Sequence, residues 1–257
     1  VNDFRILVNV YDGLTRYKDG TLEVEPALAE SWTISDDGTV YTFKLREGVT
    51  FHDGSDFTAE DVVFSFERAM TPDSDMKELL TSIAEVRAVD DYTVEFVTDG
   101  PNPILANNMT NLFIMDKTWT EANDATKVQG YEGGETTFAA ANTNGTGPFV
   151  LQSREPDVKT VLTQNPDYWG MDSFPMGVTE IVYTPIQNAA TRVAALLSGE
   201  VDFIQDVPVQ DLGRVGDTEG LAVKTTEQNR TIFFGLNMGA DDLENDDVDG
   251  ANPLADA

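Results

Sequence analysis

Residues 25–64, EPALAESWTISDDGTVYTFKLREGVTFHDGSDFTAEDVVF, decide the fold class of this chain. Two short runs of strand-forming residues, at 32–34 and 40–45, flank a turn that contains Asp37-Gly38. β-Branched and aromatic residues on both sides of an Asp-Gly pair are typical of a β-hairpin. The stretch therefore begins with two antiparallel strands.

A helix is expected directly after this hairpin. Thr58 and Asp61 have the spacing of a capping box, with Asp where Glu is usual. Val62, Val63 and Phe66 follow at helical spacing and supply an apolar stripe. A hairpin followed by an amphipathic helix predicts a mixed α/β domain.

Further motifs lie in a fixed order on both sides of this stretch. They are NVYDGL at 9–14, DDYTVEF at 90–96, GTGPF at 145–149, NPDYWG at 165–170, the segment 192–204, and NRTIFFGLN at 229–237. Together with residues 25–64, this series resembles the peptide/nickel-type solute-binding proteins, the extracytoplasmic receptors of ABC importers. One such match would carry little weight, but collinear matches from residue 9 to residue 237 are specific.

The resemblance implies an α/β fold, namely one lobe of a type II periplasmic-binding-protein-like structure with a mixed β-sheet and a β-rich subdomain. Residues 1–14 and 143–237 would form the core subdomain of this first lobe, and residues 15–142 an inserted β-rich subdomain. Residues 238–257 would be an acidic linker. Members of the family have two lobes, so the resemblance also implies that the second lobe is absent from this chain.

The residue pattern predicts further elements around these motifs. Helices are expected at 1–10, where Phe4, Leu7 and Val8 share one face, and at 101–108, 116–122 and 189–197. A hairpin is expected from 149 to 168 and a strand at 181–186. The resemblance further implies a second hairpin at the motif 90–96, after the one at 32–45, and a strand at 201–204.

The charge of the chain is strongly negative. It has 46 acidic and 16 basic residues, a net charge of −30. High net charge is one mark of disorder, but 40% hydrophobic residues are too many for a solvated coil. The composition instead predicts a folded protein with a halophilic surface, whose repulsion is screened by salt. No basic patch is present to bind nucleic acid.

The sequence indicates neither a catalytic centre nor a metal or cofactor site. The chain has no cysteine and one histidine, His52, for which a structural role beside a turn is the expectation. Residues 245–256 approximate an EF-hand loop, but Pro253 and the final Asp256 depart from that pattern, and a solvated linker is the better interpretation. No apolar run approaches the ~18 residues of a membrane span.

Candidate ligand contacts follow from the resemblance alone. In a two-lobed binder, strand ends and loops line the cleft, and closure buries the ligand. Mapping the family's motifs onto this chain predicts ligand contact at Tyr11, Thr146, Gly147, Gln205, Asp206, Val207, Asn229, Arg230 and Thr231.

The function implied by the resemblance is non-enzymatic. The chain would belong to a monomeric substrate-binding component, anchored at the outer face of the membrane, that captures a peptide or similar small solute and delivers it to an ABC permease. Two other classes stay open: a secreted hydrolase that uses two carboxylates, and a sensory or surface module that keeps the fold without transport. Resistance of peptides or sugars to turnover would argue against the hydrolase, and genes for a permease nearby would argue against the sensory module.

Overall fold

The structure of the protein is a computed structural model that describes residues 2–128, 137–175, 177–227 and 231–235. Its helices are α1 (Asn2–Val10), α2 (Ala59–Ala69), α3 (Leu105–Asn108), α4 (Lys117–Ala122), α5 (Ala189–Ser198) and α6 (Leu212–Gly216). Its strands are β1 (Thr15–Tyr17), β2 (Val24–Pro26), β3 (Ala29–Ile34), β4 (Val40–Leu45), β5 (Ile83–Asp90), β6 (Thr93–Thr98), β7 (Phe149–Glu155), β8 (Lys159–Gln164) and β9 (Glu180–Tyr183).

The two expected hairpins form one antiparallel sheet of four strands in the order β3-β4-β6-β5. Trp32 pairs with Phe43 in the first hairpin, and the turn between its strands uses Gly38 with φ 72°, a left-handed conformation that suits glycine. Phe43 pairs with Val94 of β6, which joins the two hairpins edge to edge. Both hairpin predictions are confirmed. A separate two-stranded sheet pairs β1 with β2.

Helix α2 begins where the sequence predicts. The carboxylate of Asp61 accepts the backbone N–H of Thr58 at 2.9 Å and its hydroxyl at 3.1 Å. This half of the capping box holds the first turn, because it satisfies an N–H that has no partner inside the helix. Phe66 then projects onto the four-stranded sheet, with its ring 4.6 Å from that of Phe96.

A second sheet is built from β7, β8 and β9 in that order. The predicted hairpin from 149 to 168 is confirmed, but its second strand ends at Gln164, and the predicted strand at 181–186 ends at Tyr183. Helix α1 packs against β7, and its last residue, Val10, is fully buried with Phe149 and Leu162. Val8 is 54% exposed, so its predicted place on the buried face of α1 is wrong.

Helix α5 has the boundaries that its sequence indicates. The side chain of Asn188 accepts the backbone N–H of Thr191, and Gly199 ends the helix in a left-handed conformation with φ 75°. The predicted strand at 201–204 is wrong, because these residues make no ladder and Phe203 is 74% exposed. Ile204 instead packs with Val193 of the helix in a small apolar cluster.

The chain divides into a unit of residues 1–225 and a unit of residues 226–257. In the second unit, residues 226–227 and 231–235 are described; they have no helix or strand and are exposed. The predicted acidic linker, residues 238–257, lies outside the described residues. The division of the first unit into a core subdomain and an insertion stays a prediction.

Candidate functional site

Asp12 is the centre of a cluster that three of the sequence motifs build. It follows helix α1, and its Oδ2 accepts a hydrogen bond from the indole N–H of Trp169 at 2.9 Å. The hydroxyl of Thr146 donates to the same oxygen, also at 2.9 Å. Asp12, Thr146 and Trp169 each lie in a different motif, and the fold brings them together.

The electrostatics of this cluster depend on the surroundings of Asp12. Burial raises the pKa of its carboxyl group, and the hydrogen bonds from Trp169 and Thr146, then the charges of Arg16 and Arg46, oppose that rise. The guanidinium group of Arg46 lies 4.6 Å from the centroid of the Trp169 ring, a cation–π contact. The carboxylate is therefore held by two neutral donors, with the two arginines further out.

Two tyrosines border the cluster and keep their protons. Burial raises the pKa of Tyr11 to about 12. Burial, and next the negative charge of Asp12, raise the pKa of Tyr168. Tyr11 is 6% exposed and lies beside Phe113, with ring centroids 6.4 Å apart. Both phenols are neutral hydrogen-bonding groups at physiological pH.

The segment 144–147 runs directly against the end of helix α1. The N–H of Gly147 donates to the carbonyl of Val10 at 3.0 Å. A Cβ atom on Gly147 would lie 2.5 Å from the carbonyl carbon of Val10, and one on Gly145 would lie 2.1 Å from the Val10 carbonyl oxygen. Only glycine permits this approach of two backbones. The two glycines of the motif at 145–149 therefore allow this segment to pack closely against the end of helix α1.

A polar network fastens the same segment from the other side. The side chain of Asn144 accepts the N–H of Asp53 at 3.1 Å and donates to Oδ2 of Asp116 at 2.9 Å. Ser55 donates to the same oxygen of Asp116 at 2.7 Å. Asn144 is 2% exposed, so its amide is committed to these internal contacts. The described backbone of residues 144–147 is therefore fixed on both flanks.

The loop after helix α5 forms a second group of candidate residues. Asp206 has φ 57°, a left-handed backbone conformation that is uncommon for residues other than glycine. Its carboxylate pairs with Arg5 of α1, and its carbonyl accepts a hydrogen bond from Arg192 at 3.2 Å. Gln205 and Asp206 are exposed, and Val207 packs against the apolar cluster around Val193.

The structure thus separates the predicted ligand contacts into two described sets. The first set, Tyr11, Thr146 and Gly147, lies together and is buried. The second set, Gln205, Asp206 and Val207, forms the loop that is joined to α1 by the ion pair with Arg5. Thr231 is exposed in the second unit, and Asn229 and Arg230 lie outside the described residues.

The sequence alone indicates no role for Asp12 or Trp169 and only a structural role for His52. All three stand inside motifs that mark the family, but a motif does not show which of its side chains meet in space. A metal site is not indicated within the described ranges, where no three His, Cys, Asp or Glu side chains could hold an ion together. An open depression of about 260 Å³ lies elsewhere, between the end of α2 and β5, and includes Met70 and Ile83.

The comparisons with known proteins give this arrangement a family. The sequence profile described as "Bacterial extracellular solute-binding proteins, family 5 Middle" matches residues 23–257. The chain is 31% identical over 253 residues to the dipeptide-binding protein of Escherichia coli, a match that covers 90% of this chain and 44% of that protein. It is 33% identical over 228 residues to heme-binding protein A of Haemophilus influenzae, with 80% of this chain and 40% of that protein covered.

The fold has solved relatives as well. It is similar to the periplasmic binding protein DppA of Helicobacter pylori, solved in complex with the peptide STSA, with a TM-score of 0.71 and 33% identity. That match covers 82% of this chain and 43% of the other. The chain therefore spans less than half the length of these relatives.

The chain belongs to the family 5 extracellular solute-binding proteins. Its fold is that of a lobe of a type II periplasmic binding protein, as the resemblance implied. The relatives are solute-binding proteins and not enzymes, and they work outside the cytoplasm. Within the part of the chain that the structure describes, no helix is long and apolar enough to cross a membrane.

Proposed function

We propose that this chain is the first lobe of the substrate-binding component of an ABC importer. The receptor captures a peptide or a similar small solute between two lobes and delivers it to a membrane permease. The observation that carries this proposal is the similarity in fold and sequence to a protein solved with a bound tetrapeptide. The dipeptide-binding relative supports the same ligand class.

The local structure supports a role of this lobe in binding. Two backbone segments are anchored separately against α1. The segment 144–147 is held at its last residue, Val10, and the segment 205–207 at Arg5. The backbone groups of Gly145 and Gly147 already bond within the lobe, so the segment 144–147 supports the ligand surface. The exposed loop 205–207 can offer backbone groups to an extended peptide, a mode of recognition that does not depend on side-chain identity. The exposed residues Gln205 and Asp206 supply polar atoms that a ligand can reach. Tyr11 and Thr146 then act by shaping the surface from below.

The receptor works as a monomer at the outer face of the membrane, where it is anchored. The acidic composition of the chain, with 46 acidic and 16 basic residues, suits a strong salt medium. Heme is the second candidate ligand, because one curated relative is named for binding it.

Ligand identification in the full-length protein tests this proposal. Native mass spectrometry of the purified protein would reveal a co-purified ligand, and thermal shifts would rank the dipeptide Ala-Ala, the tetrapeptide STSA and heme. A closing motion would appear as a smaller radius of gyration with ligand. We expect a peptide to raise the melting temperature and to be recovered intact.

Comparison with residues 1–257 alone tests the two-lobe mechanism. A ligand buried from both sides loses most of its contacts when one lobe is removed, and a loss of ~4 kcal/mol turns a micromolar affinity into a millimolar one. We therefore expect no binding by this part alone in calorimetry. Micromolar binding by residues 1–257 would contradict closure, and hydrolysis of the peptide would favour the hydrolase.

A further inference from the structure

His52 lies in the turn between β4 and α2 and contacts the backbone of residues 145–147 at three points. Its ring Nε2 is 3.0 Å from the carbonyl oxygen of Gly147. Its ring Nδ1 accepts the backbone N–H of Gly145 at 3.3 Å. Its own backbone N–H donates to the carbonyl of Gly145 at 2.9 Å. One residue thus binds both glycines that approach Val10.

The two ring contacts define one protonation state. The carbonyl of Gly147 can only accept a hydrogen bond, so Nε2 must carry a proton. The N–H of Gly145 can only donate, so Nδ1 must be free of one. The neutral imidazole with its proton on Nε2 is the single form that satisfies both partners. In an imidazolium Nδ1 also carries a proton, so it would face the N–H of Gly145 with a second donor and no acceptor.

The segment that His52 holds also supplies one member of the Asp12 cluster, Thr146. Thr146 lies between the two glycines, is fully buried, and donates its hydroxyl to Asp12. The same oxygen of Asp12 accepts the indole N–H of Trp169. A displacement of residues 145–147 therefore reaches Trp169 through two hydrogen bonds.

We propose that neutral His52 is the positioning residue for the segment 144–147, and that its protonation releases this segment and loosens the Thr146–Asp12–Trp169 contacts. In the proposed receptor this makes ligand affinity fall in acid, a consequence that rests on the proposed function. The positioning itself is a property of the protein without ligand.

One charged group acts on His52 directly, and further titratable groups are connected to it through Asn144 and Thr146. Asp53 follows it in the same turn, and its charge favours the imidazolium. Asp116, at the start of α4, is reached through Asn144. Asp12 and Tyr11 lie beyond Thr146, on the segment after α1.

The balance of these groups gives the direction of the pH dependence. Burial lowers the pKa of His52, while the Gly147 carbonyl and Asp53 oppose that shift. The unfolded chain therefore binds this proton more readily than the folded protein does. The stability that His52 contributes is complete above the unfolded pKa of about 6.5 and is lost as the pH falls below it.

The single histidine of the chain makes the test direct. Nuclear magnetic resonance of protein labelled at histidine nitrogen, in molar KCl, should show the Nε2–H tautomer near neutral pH. On acidification, the amide signals of Gly145 and Gly147 and the indole N–H of Trp169 should shift with the midpoint of His52. A neutral Nδ1–H tautomer, or titration of His52 without change at these three groups, would overturn the proposal.

Variants separate positioning from general stability. His52→Gln keeps a donor for the Gly147 carbonyl but cannot titrate. The signals of Gly145, Gly147 and Trp169 should therefore no longer show a transition at the pH where His52 titrates in the wild type. Asp12→Asn removes the titration of Asp12 itself and should leave that midpoint in place. Val86→Ala, in the buried face of β5, lowers stability far from the segment and should also keep it. A shift of the midpoint to higher pH in Val86→Ala would show that it reports acid unfolding, because a less stable protein unfolds at higher pH.

Ligand binding supplies a further readout in the full-length protein. With the peptide STSA as probe, affinity should weaken by roughly three- to tenfold as the pH falls from about 7.5 to below the His52 midpoint found by resonance, the size expected for one lost hydrogen bond. In His52→Gln the affinity should not change over this range. Absence of peptide binding at every pH would count against the proposed function, while the resonance titration would still decide the positioning role.

Discussion

Trp169 donates its indole N–H to the carboxylate of Asp12 at 2.9 Å, across 157 positions of the sequence. The contact ties the start of the chain, just after helix α1, to the motif that follows the β7–β8 hairpin. Asp12 is also the acceptor for Thr146, so three distant segments share one oxygen atom. The cluster is therefore a cross-link of the fold, placed next to the segment that we propose to shape the ligand surface.

Trp169→Phe should destabilise the protein through this cross-link. The substitution keeps an aromatic ring but removes the donor, and a hydrogen bond to a charged group contributes about 1.5–3 kcal/mol. We expect the free energy of unfolding to fall by about 2 kcal/mol, measured by denaturant titration. Trp32→Phe is the matched control, since Trp32 packs against the same hydrophobic core and stacks on Phe43, with ring centroids 5.7 Å apart. Equal losses in the two variants would contradict a specific role of the Asp12 contact.

Gly147→Ala should be strongly destabilising. The new Cβ atom would lie 2.5 Å from the carbonyl carbon of Val10, so helix α1 and the segment 144–147 would have to separate. Overpacking of this kind costs about 1–3 kcal/mol and occasionally more. Thermal unfolding followed by circular dichroism measures the loss.

Gly213→Ala is the control for that substitution. Gly213 lies in helix α6, and a Cβ atom there meets nothing within 4 Å. Alanine is a better helix former by about 0.5–1 kcal/mol, so the melting temperature should stay the same or rise. A Gly147→Ala protein as stable as Gly213→Ala would mean that the approach to Val10 is not rigid.

Gln205→Ala should weaken ligand binding in the full-length receptor without affecting its stability. Gln205 is exposed beside Asp206, so its amide is free to reach solvent and ligand. The loss of one neutral hydrogen bond is worth about 1 kcal/mol, roughly a fivefold weaker affinity by calorimetry. Gln210→Ala, an exposed glutamine in the following 3₁₀ turn, should bind as the wild type does. Unchanged affinity in Gln205→Ala would remove this loop from the proposed site.

The elements that the sequence predicts correctly are those specified by neighbouring residues. The turn at Asp37-Gly38 and the Thr58–Asp61 cap need only a few positions, and both form as expected. The Asn188 cap and the Gly199 end of helix α5 are also local. In each case the signal and the structure lie within the same short stretch.

The parts that the sequence does not predict depend on partners far away in the chain. Residues 201–204 have the composition of a strand, but a strand needs a neighbour to pair with, and these residues pack on α5 instead. The Asp12–Trp169 contact joins two motifs whose spacing carries no information about their approach. Asn108 illustrates the same limit. It begins the triplet Asn-Met-Thr, the pattern of a glycosylation sequon, yet its amide donates to the carbonyl of Leu79 at 2.9 Å and is held inside the fold.

Salt should control the stability of this protein. A net charge of −30 on 257 residues creates repulsion that the fold must withstand, and at 1 M salt the Debye length falls to about 3 Å. We expect the melting temperature to rise steadily in KCl between about 0.1 and 2 M, followed by circular dichroism. A variant that neutralises three exposed carboxylates, Asp36→Asn, Glu47→Gln and Asp73→Asn, should reach the same melting temperature at lower salt, because less repulsion needs screening. A melting temperature of the wild type that does not depend on KCl over this range would rule out the halophilic interpretation. An unchanged salt requirement in the triple variant would show that KCl does not act by screening surface charge.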